Sequence, residues 1–398
     1  MAETAPRGER LNIGLFGRRN VGKSSLLNAL CAQQISIVSD TAGTTTDAVS
    51  KIYELIPVGP VTFFDTAGID DTGKIGKLRI AATRKIINKV DIALLITDEN
   101  GIGEHENDLM KTFNDLKVPF ILVFNKSDLI GKLPGKEPAC PFISVCAATG
   151  NNIEALKQLI KDTVPEHLKN APALVRDLIR EGQTIVCVAP IDSSAPKGRL
   201  ILPQVQVIRD ILDANAYAYV VQNDQDFLKI LPNLKTPPAL VITDSQLIRQ
   251  VNAVVPPEIA LTTFSTLFAR YKGDLKLLYE GAAELMKLNG NDRVLIAEAC
   301  SHHAQDDDIA RVKIPSLIRK KLGEDIHFEW SAGSDFPADL QKFKVVIHCG
   351  GCMLSRLETL RRLNECARNR VPVTNFGMAL SAMQGVLNRV VQPFGLSK

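Results

Sequence analysis

The chain has 398 residues, of which 45% are apolar and 23% are charged, as expected for a globular protein of more than one domain. Its 47 basic and 44 acidic residues leave a net charge of +3, and no block of like charge marks a nucleic-acid-binding arm. The first twelve residues are polar, and no apolar run is long enough to span a membrane. We therefore expect a cytoplasmic protein with neither a membrane nor a nucleic acid as its partner.

Residues 11–168 alternate apolar and amphipathic stretches, which predicts parallel strands joined by helices. The predicted strands are LNIGLFG, VTFFDTAG, DIALLITD, FILVFNKSD and PFISVCAATG, and the predicted helices include SSLLNALCAQ and IEALKQLIKDTV. Each strand ends in a polar or glycine-rich loop, and such sheets bind their ligands at the carboxyl ends of the strands. We expect an α/β nucleotide-binding domain over residues 1–168.

The first of these loops is GRRNVGKS, which matches G-x-x-x-x-G-K-S between a predicted strand and a predicted helix. The glycines let backbone N–H groups point at phosphates, the Lys23 ammonium neutralises β/γ-phosphate charge, and the Ser24 hydroxyl binds Mg²⁺. This P-loop predicts a nucleotide site formed by Gly17, Asn20, Val21, Gly22, Lys23, Ser24 and Ser25.

Three further loops specify guanine nucleotides. Asp65 opens DTAG, where the carboxylate can hold Mg²⁺ through water and the N–H of Gly68 can reach the γ-phosphate. Asp128 closes NKSD, and its carboxylate can accept hydrogen bonds from guanine groups that adenine lacks. The residues predicted to contact the guanine base or its loop are Asn125, Lys126, Asp128, Cys146 and Ala147.

These loops, together with GTTTD at residues 43–47, resemble the TrmE–Era branch of translation-factor-like GTPases. The resemblance implies that Thr45 contacts Mg²⁺ and the attacking water, with Thr44 beside it, although the branch commonly has arginine in place of Thr46. Ile69 follows the DTAG glycine where Ras-type enzymes place a glutamine that orients water. Asn20 lies where TrmE-like enzymes hold K⁺, so we predict potassium-stimulated hydrolysis. The catalytic set is Lys23, Thr45, Asp65 and Gly68.

Two further α/β domains are predicted. Residues 172–264 contain the strand patterns TIVCVAPID, YAYVVQ and PALVITD but no nucleophile–base pair, and we interpret them as a small dimerisation module. A helix-like segment, 264–288, leads into three predicted strands, RVLIAEAC, KVVIHCGGC and RVPVTN, of the domain predicted over residues 265–398. This last pattern predicts a doubly wound, cluster-binding domain.

Cysteines cluster at the predicted carboxyl ends of two of those strands, as Cys-x-His at 300–302 and His-Cys-x-x-Cys at 348–352. A Cys₃His zinc site and a dithiol redox pair at Cys349 and Cys352 are both chemically open. An iron–sulphur cluster is favoured, because it uses Cys300 as well, Gly350 and Gly351 let N–H groups turn toward sulphur, and a helix beginning near residue 353 would add a positive end. The other five cysteines are scattered and interpreted as apolar filler.

The whole chain resembles the HydF family, the maturation GTPases of FeFe-hydrogenases. The resemblance implies a 4Fe–4S cluster on Cys300, Cys349 and Cys352, with His302 and His348 as candidates for the fourth ligand or its surroundings and the carboxylates of 306–308 as another source. It also implies a homodimer, and radical-SAM hydrogenase maturases and apo-FeFe-hydrogenase as partners. The predicted protein is a GTP-hydrolysing scaffold that uses GTP/GDP, Mg²⁺ and K⁺ and delivers a transient di-iron precursor. The alternative is a TrmE/Era-type RNA-modification or ribosome-assembly GTPase with a structural zinc site.

Overall fold

A computed structural model describes the chain over eleven stretches. These are residues 7–31, 49–66, 86–129, 138–164, 172–191, 200–298, 308–323, 325–333, 336–337, 339–351 and 354–396. The chain divides into two compact units, Met1–Asn170 and Ala171–Lys398. None of the helices within the described stretches is long and apolar enough to cross a membrane.

The first unit is built around a six-stranded sheet. Its strands are β1 (Leu11–Phe16), β2 (Val49–Leu55), β3 (Gly59–Asp65), β4 (Ile92–Thr97), β5 (Phe120–Phe124) and β6 (Phe142–Ser144). Its helices include α1 (Lys23–Cys31), α2 (Glu104–Asp115) and α3 (Ile153–Thr163). The strand order is β2-β3-β1-β4-β5-β6, and all neighbours are parallel except β2 and β3. The five predicted strands are confirmed, and β2 was not foreseen.

Successive apolar side chains of the central strands point to opposite faces of this sheet, which explains why helices cover both faces. In β4, Ile92 and Leu94 enter one apolar cluster, whereas Ala93 and Leu95 enter another on the opposite face. Strand β2 lies at the edge and leaves Ile52 36% exposed, so its sequence lacks the continuous apolar run of a buried strand. The parallel strands β1, β3, β5 and β6 bring their carboxyl ends, and thus the predicted nucleotide loops, to the same edge.

The second unit contains two four-stranded parallel sheets, ordered β10-β9-β7-β8 and β12-β11-β13-β14. The strands are β7 (Thr184–Val188), β8 (Tyr217–Val221), β9 (Leu240–Thr243), β10 (Ala260–Thr263), β11 (Arg293–Glu298), β12 (His327–Ala332), β13 (Val345–His348) and β14 (Val373–Asn375). The helices are α4 (Leu202–Asp213), α5 (Asp224–Ile230), α6 (Ile248–Val254), α7 (Phe264–Lys272), α8 (Leu275–Leu285), α9 (Ile314–Leu322), α10 (Arg356–Arg368), α11 (Phe376–Met383) and α12 (Leu387–Val391).

One apolar cluster joins the two sheets of this unit, since it includes Val241 from the first sheet and Leu295 and Val346 from the second. Thr263 is both the last residue of β10 and the N-cap of α7, where its side chain accepts a hydrogen bond from the N–H of Thr266. The strand therefore passes directly into the helix. The division into domains at residues 264 and 265 stays a prediction.

Two sequence predictions for the last sheet were wrong in detail. The helix-like segment 264–288 is two helices, because the chain turns at Gly273 and restarts at Asp274, whose carboxylate accepts from the N–H of Leu277 at 3.0 Å. The sheet has four strands in place of the predicted three. The missed strand β12 lies at the edge and is only partly buried, so its residues lack the apolar run of its neighbours.

Candidate functional site

The turn between β1 and α1 requires glycine at two positions. Gly17 has a φ of +139°, and a Cβ there would lie 2.1 Å from the carbonyl oxygen of Ile96. Gly22 has a φ of +92°, and a Cβ there would lie 2.3 Å from Nδ2 of Asn125. No side chain tolerates such distances, so the glycines let the loop pass close to the ends of β4 and β5. Asn20, the predicted K⁺ ligand, is exposed in the same loop.

The P-loop lysine is buried and held by its own loop. Nζ of Lys23 donates to the carbonyl oxygens of Gly17 at 2.5 Å and Arg18 at 2.8 Å, which keeps the ammonium where phosphate oxygens would bind. Ser24 is exposed, and its Oγ donates to Oδ2 of Asp65 at 3.1 Å. The two predicted Mg²⁺ contacts, from α1 and β3, therefore lie side by side, with Ser25 exposed next to them.

Asn125 connects three of the predicted loops. Its Nδ2 donates to the carbonyl oxygen of Val21 in the P-loop at 2.9 Å, and its Oδ1 accepts from the N–H of Ala147 at 3.1 Å. Cys146, next to Ala147, donates from Sγ to Oδ1 of Asp128 at 3.1 Å. This hydrogen bond orients the carboxylate of Asp128, which is exposed. The geometry thus brings the phosphate loop and the guanine loops together.

Arg18 is a site residue that sequence reasoning missed. Its Nη2 donates to the carbonyl oxygen of Gly101 at 2.8 Å and to Oγ1 of Thr97 at 3.2 Å, and its Nε lies 2.9 Å from Oε1 of buried Glu106. Neither of those last two atoms forms a hydrogen bond within the described residues, so that contact is an ion pair without hydrogen-bond alignment. The guanidinium is thus held against the loop after β4. Arg18 occupies a variable position of the G-x-x-x-x-G-K-S motif, so the sequence alone does not point to it.

Lys126 binds the same loop from the other side, with Nζ 3.3 Å from Oδ2 of Asp98. Burial would raise the pKa of Asp98, but hydrogen bonds from Asn100 and Lys126 together hold that pKa below its ordinary value. The carboxylate therefore stays ionised at neutral pH and fixes the lysine of the guanine-reading motif. The remaining predicted nucleotide residues, Thr44, Thr45 and Gly68, lie outside the described residues.

The cysteine loop starts at the end of β13, next to the end of β11. Ala297 and His348 are register partners on these parallel strands, and the N–H of Cys349 donates to the carbonyl oxygen of Ala297 at 2.9 Å. The strands that precede the two cysteine motifs, β11 and β13, are therefore neighbours in one sheet. Cys300, His302 and Cys352 lie outside the described residues.

His348 is buried, with 2% of its surface exposed, and its two ring nitrogens differ. Nδ1 lies 2.6 Å from the carbonyl oxygen of Cys349, which can only accept, so Nδ1 carries the proton. Nε2 is buried and has no hydrogen-bond partner among the residues that the structure describes. A buried ring nitrogen without a partner, next to a cysteine, fits a metal centre, either as a ligand or as a residue beside one.

Lys272, at the end of α7, anchors the cysteine loop. Its side chain is buried, and Nζ donates to the carbonyl oxygens of Gly351 at 3.2 Å and Leu354 at 2.8 Å. Next to it is a cavity of about 10 Å³, about the space that one water needs. Its polar lining comes from Lys272, His348, Cys349, Gly350, Thr359 and Asn375. Lys272 gave no sequence signal, since it lies in an ordinary amphipathic pattern far from the motif.

The helix after the loop begins later than predicted. It starts at Arg356, where the Ser355 hydroxyl accepts from the N–H of Glu358 at 3.2 Å, and not near residue 353. Asp308, one of the alternative ligands, accepts from the N–H groups of Ala310 and Arg311, both at 2.8 Å, and so caps the following turn. No group of three or more metal-ligating side chains occurs among the described residues, a set that lacks two of the three motif cysteines.

Three protein families match this chain. Residues 12–126 match the 50S ribosome-binding GTPases, 174–273 the hydrogen maturase F dimerization domain, and 276–393 the hydrogen maturase F tetramerization domain. The tRNA modification GTPase MnmE of Neisseria gonorrhoeae is 40% identical over 38% of this chain and 34% of that protein. GTPase Der of Nitratiruptor is 38% identical over 38% of this chain and 36% of that protein. The chain thus spans about a third of the length of the curated relatives it matches.

Among solved structures, Era of Aquifex aeolicus bound to GDP·AlF₄⁻ aligns with a TM-score of 0.33 and 20% identity, over 61% of this chain and 99% of that chain. The G domain of the Thermotoga maritima iron transporter FeoB aligns with a TM-score of 0.32 and 21% identity, over 39% and 99%. The sheet, the P-loop and the family matches define a P-loop GTPase that continues into two oligomerization domains. Both of those domains are domains of one maturation protein, and the chain belongs to the hydrogen maturase F (HydF) family.

Proposed function

We propose that this chain is a GTP-hydrolysing scaffold that holds a 4Fe–4S cluster and delivers a di-iron precursor to apo-FeFe-hydrogenase, in partnership with radical-SAM maturases. The observation that carries the proposal is the pairing of β11 with β13. The segments that bear Cys300 and Cys349 leave neighbouring strands at one edge of a sheet, inside a domain matched by hydrogen maturase F.

The cluster would be held by Cys300, Cys349 and Cys352, and it would supply an iron site able to exchange its fourth ligand. His348 supports this assignment with a buried Nε2 that has no hydrogen-bond partner among the described residues, and His302 is the second candidate for that position. Lys272 keeps the backbone of the cysteine loop in place, because its ammonium group donates hydrogen bonds to two carbonyl oxygens of the loop.

GTP hydrolysis would use Lys23 on the phosphates, Ser24 and Asp65 at Mg²⁺, and the predicted Thr45 and Gly68 of the switches. Arg18 is engaged by the loop after β4 and supplies no charge to the phosphates in this arrangement. We therefore assign the missing positive charge to K⁺ bound by the exposed Asn20. Asn20→Ala should abolish the stimulation by K⁺, and equal wild-type rates in Na⁺ and K⁺ would contradict the assignment.

A homodimer would form at the exposed edge of the first sheet of the second unit. Strand β8 is an edge strand whose Tyr217, Tyr219 and Val220 are 61%, 45% and 45% exposed. Unpaired edge backbone and exposed aromatic side chains are typical of a surface that another chain covers. This strand lies within the match to the dimerization domain at 174–273.

The cluster is tested by anaerobic purification and reconstitution with iron and sulphide, followed by visible and EPR spectra. We expect a brown protein whose iron–sulphur absorption is lost in Cys349→Ala and kept in Cys187→Ala, since Cys187 is buried in β7 away from the loop. A colourless protein with one zinc per chain would refute the cluster and favour the structural zinc site. Delivery is then tested by activation of apo-hydrogenase with the loaded protein.

A further inference from the structure

Arg362, on α10, is a buried cation close to the cysteine loop. Only 3% of its surface is exposed. Its Nη1 donates to the carbonyl oxygen of Gly333 at 2.6 Å, and its guanidinium stacks 4.6 Å from the ring centre of Phe336. The stacking ring and the carbonyl fix the plane of the guanidinium, so the direction of its remaining N–H groups is set.

Two nitrogens of this guanidinium are available as hydrogen-bond donors. Nε and Nη2 of Arg362 are buried and have no hydrogen-bond partner within the part of the chain that the structure describes. These two nitrogens form one edge of the guanidinium, which is the edge that binds an anionic acceptor with two parallel hydrogen bonds. A buried N–H without an acceptor destabilises the folded protein, so an edge of this kind favours a bound acceptor.

Backbone contacts place this guanidinium at the same edge of the sheet as Cys349, whose N–H donates to the carbonyl oxygen of Ala297 in β11. Gly333, which Arg362 binds, donates its N–H to Glu298 at the end of β11. Arg362 therefore lies at the carboxyl edge of the sheet, where β11 and β13 deliver the cysteine-bearing segments.

We propose that the Nε and Nη2 groups of Arg362 donate hydrogen bonds to the thiolate or sulphide sulphur of the metal centre at Cys349. This inference rests on the proposed cluster. Hydrogen bonds to sulphur stabilise the more negative, reduced state of a cluster and raise its reduction potential. The buried ammonium of Lys272, which holds the backbone of the same loop, adds to this field. Arg362 is thus a positioning residue that sets the potential of the centre.

The test is the midpoint potential of the reconstituted full-length protein, followed by EPR in a redox titration. In Arg362→Gln we expect the reduction equilibrium to fall by about tenfold, which is about 59 mV for a one-electron couple. Arg362→Lys keeps the positive charge but lacks the pair of parallel N–H donors, so the midpoint potential of this variant should fall by less. The matched control is Arg368→Gln, which removes an exposed arginine from the same helix and should leave the potential unchanged.

Pulsed EPR of the reduced protein, grown with isotope-labelled arginine, should show arginine nitrogen coupled to the cluster in the wild type and not in Arg362→Lys. A potential equal to that of the wild type in Arg362→Gln would refute the inference and leave the cluster assignment intact. If Arg362→Gln does not fold, the same criterion applies to Arg362→Lys. A wild-type protein without a cluster would refute both.

Discussion

Asn125→Ala should weaken guanine-nucleotide binding, because the Asn125 amide holds two of the nucleotide loops together. The amide joins the P-loop to the loop after β6, since Nδ2 donates to Val21 and Oδ1 accepts from Ala147. Alanine removes both hydrogen bonds and leaves a carbonyl and an N–H without their partner. The side chain is 2% exposed, so water replaces it poorly.

The magnitude follows from those two bonds. At about 1 to 1.5 kcal/mol for each hydrogen bond, their loss amounts to about 2 to 3 kcal/mol. In the variant, the nucleotide must itself hold the two loops in place, so this free energy is subtracted from binding. The dissociation constant for GDP should therefore rise by about 30- to 150-fold.

The assay is titration of full-length protein with a fluorescent GDP analogue. Asn107→Ala is the control, because it removes an exposed asparagine whose Nδ2 donates to Gly103 in the same unit, and its dissociation constant should stay at the wild-type value. Circular dichroism verifies that both variants keep their secondary structure. A folded Asn125→Ala protein whose dissociation constant for GDP is within threefold of the wild-type value would show that the two hydrogen bonds of Asn125 do not organise the site.

Four other predictions follow from particular contacts. Cys146→Ala should lower the preference for GTP over XTP, because Asp128 loses the thiol that orients its carboxylate, whereas Cys146→Ser should restore it in competition binding. Lys272→Met should reduce the iron retained after gel filtration, since two loop carbonyls lose their donor; full retention would argue against the anchor. Tyr219→Lys should shift the assembly to a smaller mass in sedimentation, and an unchanged mass would exclude β8 as the contact. Burial raises the pKa of Cys187 to about 12, so iodoacetamide near neutral pH should label it only after denaturation, as mass spectrometry can verify.

The nucleotide loops could be predicted because phosphate and guanine chemistry fixes residue types at fixed spacings. Glycine is required at positions 17 and 22 because the backbone there passes close to Ile96 and Asn125, and the motif itself specifies glycine at both positions. Strand β2 and the role of Arg18 could not be predicted in this way. An edge strand has no continuous apolar pattern, and the partners of Arg18 are contributed by a loop about eighty residues further along the chain.

The cysteine domain shows the same division between local and non-local information. The sequence predicts that both cysteine motifs follow strands of one parallel sheet, because apolar runs that end in cysteine are local features, and β11 and β13 do belong to one such sheet. It does not predict Lys272 or Arg362. Each is a single cation in an ordinary amphipathic helix, and its burial distinguishes it only after the chain has folded.

Helix α7 gives the cysteine loop a fixed relation to the sheet that carries β8. The helix begins at the end of β10, where Thr263 caps it, and it ends at Lys272, whose ammonium group holds the loop. In the same unit, Oγ1 of Thr262 donates to the carbonyl oxygen of Val390 at 2.8 Å, and Arg389 donates to the carbonyl oxygens of Val255 and Pro256. These contacts and the shared apolar cluster hold the two sheets in one compact unit, so assembly through β8 would carry the cysteine loop with it.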